Sequence, residues 1–514
     1  MIMTDMRDTE TGTLEQRELY SQDIWAKGET AAAILSPQST EELSDIVKTA
    51  NARGLSINPR GGGMSYTKGY IPENGTTAIL DFSGMNRIIE INEEDMYVTV
   101  QAGCTWKTLY EALGEKGLRT PFWGPLSGIS STIGGGLSQN NAFFGGSLYD
   151  TSTASALSVT VVLADGTIVK TGTGGTKNAK PFYRHFGPDL TGLFMGDTGA
   201  LGYKTEATLR LIPVPEHEDW ASFECDSHAG WITALKEMGR LGLACELFGF
   251  DPNLQRVRME RAGLAADIRT LGNVITKQKS GLVRGLKEGA RVAMAGRGFM
   301  DATAYSLHIV VEGHSSAEVG AKMTTLKTVA HRFEAREIEN SIPKIIRANP
   351  FTPLNNILGP RGERWVPIHG IVAMSDALTC FEGIHELFNT MQGEFDSHGV
   401  TPGFLTTILG TTGYLIEPVF IWPEEIWPIH KVTVDPGTLR RATTFDKNPD
   451  ATAVVLKARR GILDIFTAHG AAHFQIGRTY PYRETRDDNT WKLIRGIKSL
   501  LDPERRVNPG SLGL

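Results

Sequence analysis

Cysteine is scarce in this sequence of 514 residues. Its four cysteines, Cys104, Cys225, Cys245 and Cys380, are widely scattered and form no CxxC pair. This spacing argues against a zinc site and against a disulfide framework, and it predicts reduced, buried thiols in a cytoplasmic protein. The histidines do not suggest a metal site either, because His308 and His314 are too far apart to form a compact ligand pair on one strand. No metal is predicted.

Long apolar runs and a large charge excess are also missing. No run of about 18 apolar residues occurs, so no membrane-spanning helix is predicted, and residues 1–8 lack the apolar core of a signal peptide. The formal net charge of −6 argues against a nucleic-acid-binding protein. The composition, 40% apolar and 21% charged, is typical of a globular protein, and the length favours two or more domains.

Glycine, in contrast, is concentrated in three stretches beside strand-like sequence. The first stretch, 58–66, has three consecutive glycines after Arg60, the second is 124–140 and the third is 196–210. Glycine has no Cβ atom and readily adopts positive φ, so such a run can turn its backbone N–H groups inward around an anion. A single glycine run usually marks only a turn. Three of them predict one extended, phosphate-bearing ligand that is contacted several times.

The remaining sequence predicts alternating helices and strands. Ser39 or Thr40 can cap a helix whose apolar positions recur at helical spacing as far as Ala50. Strands are predicted at 78–83, 88–91, 97–101, 220–225, 307–312, 365–372 and 473–476, with a hairpin over 155–169. Helices are predicted from residue 103 and at 229–241, 317–333, 375–392 and 451–468. No GxGxxG motif follows the first strand, so the pattern indicates an α+β fold other than a dinucleotide-binding Rossmann fold.

The ordered glycine stretches, the 155–169 hairpin and the tail 501–514 together resemble the vanillyl-alcohol oxidase / p-cresol methylhydroxylase (PCMH) flavoprotein superfamily. The resemblance implies an α+β fold with a two-subdomain, PCMH-type FAD-binding domain and a C-terminal cap or substrate domain, in which helices flank an antiparallel sheet. The implied boundaries are an N-terminal arm (1–30), the FAD-binding domain (31–216), the cap domain (217–470) and a C-terminal segment that returns to the FAD-binding domain (471–514).

The same resemblance implies FAD as the cofactor and places its contacts in the glycine stretches. The implied contacts are Arg60, Gly61, Gly62, Gly63, Met64, Ser65, Pro125, Ser131, Thr132, Gly135, Ser138, Asn140, Gly145, Gly146, Gly199, Leu201, Gly202 and, from the tail, Asn508. Berberine-bridge-type relatives carry a flavin-linking histidine at the position of Met64, and a thioether cannot form that bond. Non-covalent FAD is therefore predicted, with His430 as the nearest candidate for a link from the cap domain.

The block 478–484 resembles the Tyr-Arg pair of the vanillyl-alcohol oxidase group, mapped here onto Tyr482 and Arg483. In that family the pair binds a phenolic oxygen as phenolate, since a cation and a hydroxyl aimed at one oxygen lower its pKa. Hydride would then pass to flavin N5. The alternative role of Arg483 is an ordinary ion pair with a carboxylate. The family's aspartate base is missing, because 132–141 holds no carboxylate, and Glu417, His369 or His430 could replace it.

The predicted function is an FAD-dependent oxidase or dehydrogenase that oxidises an alcohol or alkyl group of a phenolic or related aromatic substrate. One alternative is a 2-hydroxy-acid dehydrogenase of the D-lactate type with Arg483 on the carboxylate, although the His-x-Gly-Asp-Gly-Asn-x-His pattern of that branch is absent. Another is a flavin-fold protein that binds ligand without turnover. The sequence leaves three electron acceptors open: oxygen, a quinone or a protein.

Two further predictions concern assembly and location. The segment 277–297 interleaves basic and apolar residues, which is typical either of a solvated surface helix or of peripheral contact with an anionic membrane such as the inner membrane. A homo-oligomer is expected.

Overall fold

The computed structural model describes residues 12–261 and 304–514, which form two compact units. Unit 1 contains 12–142, Thr151–Val214 and His473–Leu514, and unit 2 contains Phe143–Asp150, 215–261 and 304–472. The observed changes of unit lie close to the predicted boundaries at 216 and 470. The prediction misses the excursion at Phe143–Asp150, and it separates an arm whose described residues, 12–30, belong to unit 1. The segment 277–297 lies outside the described residues.

The strands and helices are numbered in chain order. The strands are β1 (Ile34–Leu35), β2 (Ser56–Arg60), β3 (Thr77–Asp81), β4 (Ile88–Asn92), β5 (Tyr97–Gln101), β6 (Leu118–Arg119), β7 (Ala156–Val162), β8 (Ile168–Lys170), β9 (Tyr203–Arg210), β10 (Ile212–Pro213), β11 (His217–Cys225), β12 (Glu246–Phe250), β13 (Tyr305–Gly313), β14 (Arg336–Ile338), β15 (Arg364–Pro367), β16 (Gly370–Ala373), β17 (Thr401–Leu409) and β18 (Gly413–Trp422). The helices are α1 (Leu14–Tyr20), α2 (Thr40–Ala52), α3 (Trp106–Gly114), α4 (Ile133–Gln139), α5 (Gly146–Tyr149), α6 (Leu190–Leu193), α7 (His228–Gly239), α8 (Pro252–Arg261), α9 (Ser316–Arg332), α10 (Ser341–Ala348), α11 (Ala377–His398), α12 (Pro428–Thr433), α13 (Pro436–Arg441), α14 (Pro449–Ala468) and α15 (Asp488–Leu501).

Unit 1 is built on two main sheets. A parallel sheet has the strand order β1-β3-β2, and an antiparallel sheet has the order β4-β5-β9-β7-β8. These sheets correspond to the two subdomains that the resemblance implies, and the predicted α+β fold class is confirmed. None of the described helices is both long and apolar enough to cross a membrane.

Helix α2 joins the core of both sheets. The Ser39 hydroxyl accepts a hydrogen bond from the Glu42 N–H at 3.1 Å and caps the helix start, as predicted. Its buried face presents Leu43, Val47 and Ala50, and each fully buried Leu or Val side chain contributes about 1.5–3 kcal/mol to stability. The same core cluster includes Ile57, Ala78, Leu80, Val162 and Tyr203.

The C-terminal tail is fastened to unit 1 by a buried ammonium group. Lys498, on α15, donates to the carboxylate of Asp502 at 2.6 Å and to the carbonyl oxygens of Ala200 at 2.7 Å and Val507 at 2.8 Å. Val507 in turn forms a parallel bridge with Ile57 on β2. The tail therefore supports both the strand before the first glycine stretch and the turn of the third.

Unit 2 is dominated by an antiparallel sheet of eight strands. Its order is β14-β11-β13-β12-β17-β18-β15, and β16 also pairs with β18. Helix α11 packs against α14 and the sheet, and its Phe381 and Phe388 rings lie 4.5 and 5.0 Å from the Phe404 ring on β17. The predicted antiparallel sheet flanked by helices is confirmed.

Two predicted strands are wrong. The prediction of one strand over 365–372 fails because the chain breaks between β15 and β16 at residues 368–369, directly after Pro367, which has no backbone N–H to donate to the sheet. The prediction of a strand at 473–476 fails because Gln475 has a left-handed φ of 52°, which a strand does not accommodate.

The four cysteines are buried and none forms a disulfide, as the sequence predicts. Burial raises the pKa of the Cys104, Cys225 and Cys380 thiols to about 12. These thiols therefore stay protonated at neutral pH and act as small core side chains.

Replacing Lys498 should destabilise unit 1, because Lys498→Met leaves the Asp502 carboxylate buried without its cation. We expect a loss of roughly 3–5 kcal/mol in the free energy of unfolding, measured by urea denaturation. The exposed neighbour on the same helix provides the control, and Lys492→Met should change stability by less than about 0.5 kcal/mol. Equal effects of the two substitutions would show that the buried pair is not what holds the tail.

Candidate functional site

The first glycine stretch leaves the end of β2 and is shaped by a buried tyrosine. The Tyr70 hydroxyl has one proton to share between two carbonyl oxygens, that of Gln22 at 2.8 Å and that of Gly63 at 3.1 Å. Gly63 has a φ of 72°, the positive value that the glycine run predicts. Burial raises the pKa of the Tyr70 phenol, so the hydroxyl stays protonated and able to donate.

A buried carboxylate holds the chain on both sides of this stretch. Asp23 accepts from the backbone N–H of Ala26 at 2.7 Å and of Lys68 at 2.8 Å. Burial raises its pKa to about 6. Through these hydrogen bonds the N-terminal segment that contains Asp23 holds the loop that follows the three glycines. The sequence suggests that this segment is only an arm.

The second glycine stretch, which the sequence suggests is a glycine-rich turn, contains a helix. Helix α4 spans Ile133–Gln139, and the Thr132 hydroxyl caps it by accepting from the Gly135 N–H at 3.2 Å. Glycines occur in a helix here because there is no room for side chains. A Cβ atom on Gly134 would lie 2.6 Å from the Cβ atom of Ala102.

The first and second stretches are in contact through their glycines. A Cβ atom on Gly62 would lie 1.9 Å from the carbonyl oxygen of Ser130, and one on Gly61 would lie 2.4 Å from the hydroxyl oxygen of Thr132. Both glycines are therefore required by the neighbouring protein chain, in addition to any closeness to a ligand.

The third stretch turns around a buried ion pair. The Lys204 ammonium lies 2.7 Å from the Asp197 carboxylate, and both side chains are almost fully buried. The same carboxylate accepts from the Gly199 N–H at 3.0 Å. Gly199 has a φ of 68°, and a Cβ atom there would lie 2.6 Å from Pro59 on β2. The third stretch therefore also meets the first.

These three stretches line one cavity in unit 1. Twelve of the predicted contact residues lie in its wall: Gly61, Gly62, Gly63, Met64, Ser65, Pro125, Ser131, Thr132, Gly135, Ser138, Gly199 and Gly202. The sequence prediction that all three stretches share one ligand thus has a common cavity as its geometric basis.

Six predicted contact residues lie outside this wall. Gly145 and Gly146 belong to unit 2. Arg60 is buried with its guanidinium carbon 4.0 Å from the centre of the Tyr20 ring. The Asn140 side chain accepts from the hydroxyls of Thr151 and Thr153, Leu201 is buried, and Asn508 donates to the carbonyl oxygens of Gly69 and Thr198.

The wall also holds polar residues that the sequence prediction misses. They are Tyr70, Ser127, Gln139, Asn141, Thr198, Lys204 and Gln475. Lys204 lies within the third glycine stretch, 196–210, so the sequence marks its segment although its side chain was not among the predicted contacts. No sequence signal existed for Gln475, which reaches the wall because its backbone N–H donates to the Gln139 carbonyl oxygen at 2.7 Å.

The predicted Tyr-Arg pair lies on a turn of unit 1, outside the wall of this cavity. Tyr482 is half-buried, with the Arg486 guanidinium carbon 5.0 Å from its ring centre. Arg483 is exposed, with its guanidinium carbon 5.8 Å from the ring centre of Trp491.

The other predicted catalytic residues lie in unit 2, and the sheet brings two of them together. Glu417 is half-buried on β18 beside the break that contains the buried His369, because Pro367 pairs with Val419 and Gly370 pairs with Ile416. His430 is buried at the start of α12, where its Nδ1 atom accepts from the Trp427 N–H at 3.1 Å. Within 12–261 and 304–514, no group of three or more His, Cys, Asp or Glu side chains could hold a metal ion.

Comparisons with known proteins agree with this geometry. Residues 31–172 match the family model described as FAD binding domain. The solved structure of p-cresol methylhydroxylase with substrate bound is similar over 99% of this chain and 94% of its own, with a TM-score of 0.71 and 17% identity. The fold is of the PCMH type. Alkyldihydroxyacetonephosphate synthase is similar to this PCMH-type chain with a TM-score of 0.65 and 16% identity, over 93% of this chain and 75% of its own.

Sequence relatives are similar over a shorter part of the PCMH-type chain. Glycolate oxidase subunit GlcD of Bacillus subtilis (strain 168) is 36% identical over 201 residues, which are 39% of this chain and 41% of that protein. Mitochondrial D-lactate dehydrogenase (cytochrome) of Kluyveromyces lactis is 34% identical over 211 residues, 38% of this chain and 34% of that protein. The chain thus spans less than half the length of these relatives.

The predictions of a PCMH-type fold and of FAD as cofactor are confirmed. The assignment of the chain to the vanillyl-alcohol oxidase group within that superfamily stays a prediction. The wall residues fit FAD. Hydroxyls, side-chain amides and the Lys204 ammonium suit phosphate and sugar oxygens, and Met64, Phe82 and Ala102 offer apolar surface to a ring. Met64 is in the wall of the cavity, and non-covalent attachment of the FAD stays a prediction.

Replacing Gly62 by alanine should weaken FAD binding, because the added Cβ atom displaces the first stretch from the second. We expect at least a tenfold rise in the dissociation constant of FAD, which corresponds to about 1.4 kcal/mol, measured by quenching of flavin fluorescence. Gly75→Ala is the matched control, since nothing lies within 4 Å of a Cβ atom there. An unchanged affinity in Gly62→Ala would mean that the contact between the stretches does not shape the FAD site.

Proposed function

We propose that this protein is an FAD-dependent oxidoreductase that oxidises the CH–OH carbon of a small 2-hydroxy acid. The observation that carries the proposal is the single cavity lined by three glycine-rich stretches, whose first two lie in the matched FAD-binding domain. The substrate class is supported by the names of the sequence relatives, glycolate oxidase and D-lactate dehydrogenase. The predicted alternative of a 2-hydroxy acid is thereby preferred over the phenolic substrate.

FAD, when bound, supplies the acceptor for two electrons. The protein contributes position and charge. The buried ion pair of Lys204 and Asp197 keeps a cation in the wall without an uncompensated charge, since its carboxylate partner lies 2.7 Å away. Gln139 and Gln475 both line the cavity with their side-chain amides. The Gln475 backbone N–H donates a hydrogen bond to the Gln139 carbonyl oxygen, so the two residues are held next to each other.

Oxidation of an alcohol also requires a group that takes the hydroxyl proton. We place this role on Glu417 or His369, which lie side by side at the break between β15 and β16. A carboxylate or a neutral imidazole can accept a proton, and neighbours of this kind can share it. His430 ranks below them, because its Nδ1 atom already holds the start of α12.

Oxidation of a phenolic substrate is the second candidate. It is supported by the solved structures of p-cresol methylhydroxylase and 4-ethylphenol oxidase, which have the same fold at 17% and 16% identity. It needs Tyr482 and Arg483 at the reacting oxygen. Arg483 instead contributes to a separate pocket of unit 1, which lowers the rank of this candidate.

The proposed reaction should be visible as anaerobic bleaching of the flavin. The purified, FAD-loaded chain is mixed without oxygen with glycolate, D-lactate and L-lactate, and separately with p-cresol and 4-ethylphenol, while the visible flavin absorbance is recorded. We expect bleaching by a hydroxy acid only. Bleaching by a phenol alone would favour the second candidate, and an intact flavin spectrum with every compound would favour a protein that binds FAD without turnover.

The proton acceptor can be tested in the same experiment. Glu417→Gln should slow bleaching by about 10²-fold or more, the usual cost of losing a general base, while FAD binding is kept. Glu386→Gln, on the exposed face of α11, removes the same charge and should leave the rate unchanged. Equal rates in both variants would move the role to His369.

A further inference from the structure

A second pocket of unit 1 is lined by basic side chains. Its wall contains Arg483, Trp491, Arg495, Lys498 and Arg505, together with residues 513–514. No aspartate or glutamate side chain from the described ranges is in this wall. The pocket shares no wall residue with the glycine-lined cavity, so it is separate from the candidate FAD site.

The cations of this pocket differ in how they are compensated. Lys498 donates to the Asp502 carboxylate and to two carbonyl oxygens, so its three protons are all used. Arg483, Arg495 and Arg505 form no ion pair within the part of the chain that the structure describes. Their neighbour Arg506 does, with its Nε atom 2.6 Å from Glu504.

Two of these arginines have a further structural feature at the pocket. Arg505 has a left-handed φ of 54°, which costs a non-glycine residue free energy, and the Asp502 carbonyl oxygen accepts its N–H at 3.1 Å. The Arg483 guanidinium carbon lies 5.8 Å from the ring centre of Trp491, within the range of a cation–π contact. Three guanidinium groups are thus gathered at one solvent-exposed pocket, whose wall also includes the last residue, Leu514.

We infer that this basic pocket binds the phosphate group of a ligand. Guanidinium groups match phosphate oxygens in geometry and form charge-assisted hydrogen bonds with them.

Helix α15 separates the pocket from its own exposed leucines. Leu493 and Leu500 are seven residues apart and share one face, whereas Trp491, Arg495 and Lys498 line the pocket from the opposite face. A phospholipid needs apolar surface beside its headgroup site, and these leucines do not supply it. A phosphorylated metabolite in solution would use the pocket alone and is therefore the favoured source.

Two probes distinguish these sources on the FAD-loaded chain of 514 residues. Inorganic phosphate is titrated calorimetrically at constant ionic strength against chloride, and co-sedimentation is measured with phosphatidylcholine vesicles with and without phosphatidic acid. We expect binding of at least one phosphate probe. Arg495→Gln should weaken that binding at least tenfold, whereas Lys492→Gln, an exposed cation on the same helix and outside the wall, should leave it nearly unchanged. Arg505→Gln, at a wall residue outside helix α15, serves as a second variant.

Binding of phosphatidic acid vesicles but not of inorganic phosphate supports the pocket with a lipid as its source, and the reverse supports it with a soluble ligand. The inference is overturned if neither probe binds, if Arg495→Gln and Lys492→Gln weaken binding equally, or if phosphate releases FAD and thus acts at the cofactor cavity. None of these outcomes depends on the proposed oxidation, because no turnover is measured.

Discussion

A side chain on Gly62 would meet the carbonyl oxygen of Ser130 at 1.9 Å, and the candidate FAD site depends on this closeness. The first and second glycine stretches touch through main chain, and Gly199 brings the third against Pro59 at the end of β2. Removing Cβ atoms at these points lets three distant segments of the chain share one wall. Most of the polar groups that face the cavity are positioned by that arrangement.

The same constraint explains why the C-terminal tail folds back onto unit 1. Loops that meet through glycine lose side-chain packing, and the stability has to be supplied elsewhere. Lys498 and Asp502 provide it by bonding the tail to Ala200 in the third stretch, while Val507 extends the bridge to β2. The C-terminal segment, 471–514, also contributes Gln475 to the cavity wall. A site built from four separate segments is therefore stabilised by two buried ion pairs, Lys204–Asp197 and Lys498–Asp502, and by several hydrogen bonds to the main chain.

Much of the fold was predictable because local signals agree with it. The cap at Ser39 with the apolar face of α2, and the alternating strand at 97–101, follow from side-chain periodicity that the tertiary structure keeps. The glycine stretches predicted most of the cavity wall, since glycine marks places of close approach. Residues such as Gln475 could not be found, because a left-handed glutamine is chosen by long-range contacts with no local sequence signal.

The predicted roles of Arg60 and Arg483 show a second limit. Sequence proximity to a motif suggested that each contacts a ligand of the flavin site, yet Arg60 packs on Tyr20 and Arg483 contributes to the basic pocket. Where a long side chain points depends on the elements around it. Neighbouring positions in a motif can therefore face different cavities, and for such residues a motif predicts the segment better than the contact.

Hydrogen exchange on the full-length chain, with and without FAD, most directly tests whether three stretches form one cofactor site. Our structure predicts that FAD slows backbone exchange together in residues 61–65, 131–139 and 196–202, and leaves the unit 2 sheet, such as β11 and β13, unchanged. Protection of only one stretch, or protection centred in unit 2, would contradict a site built from the three glycine-rich segments.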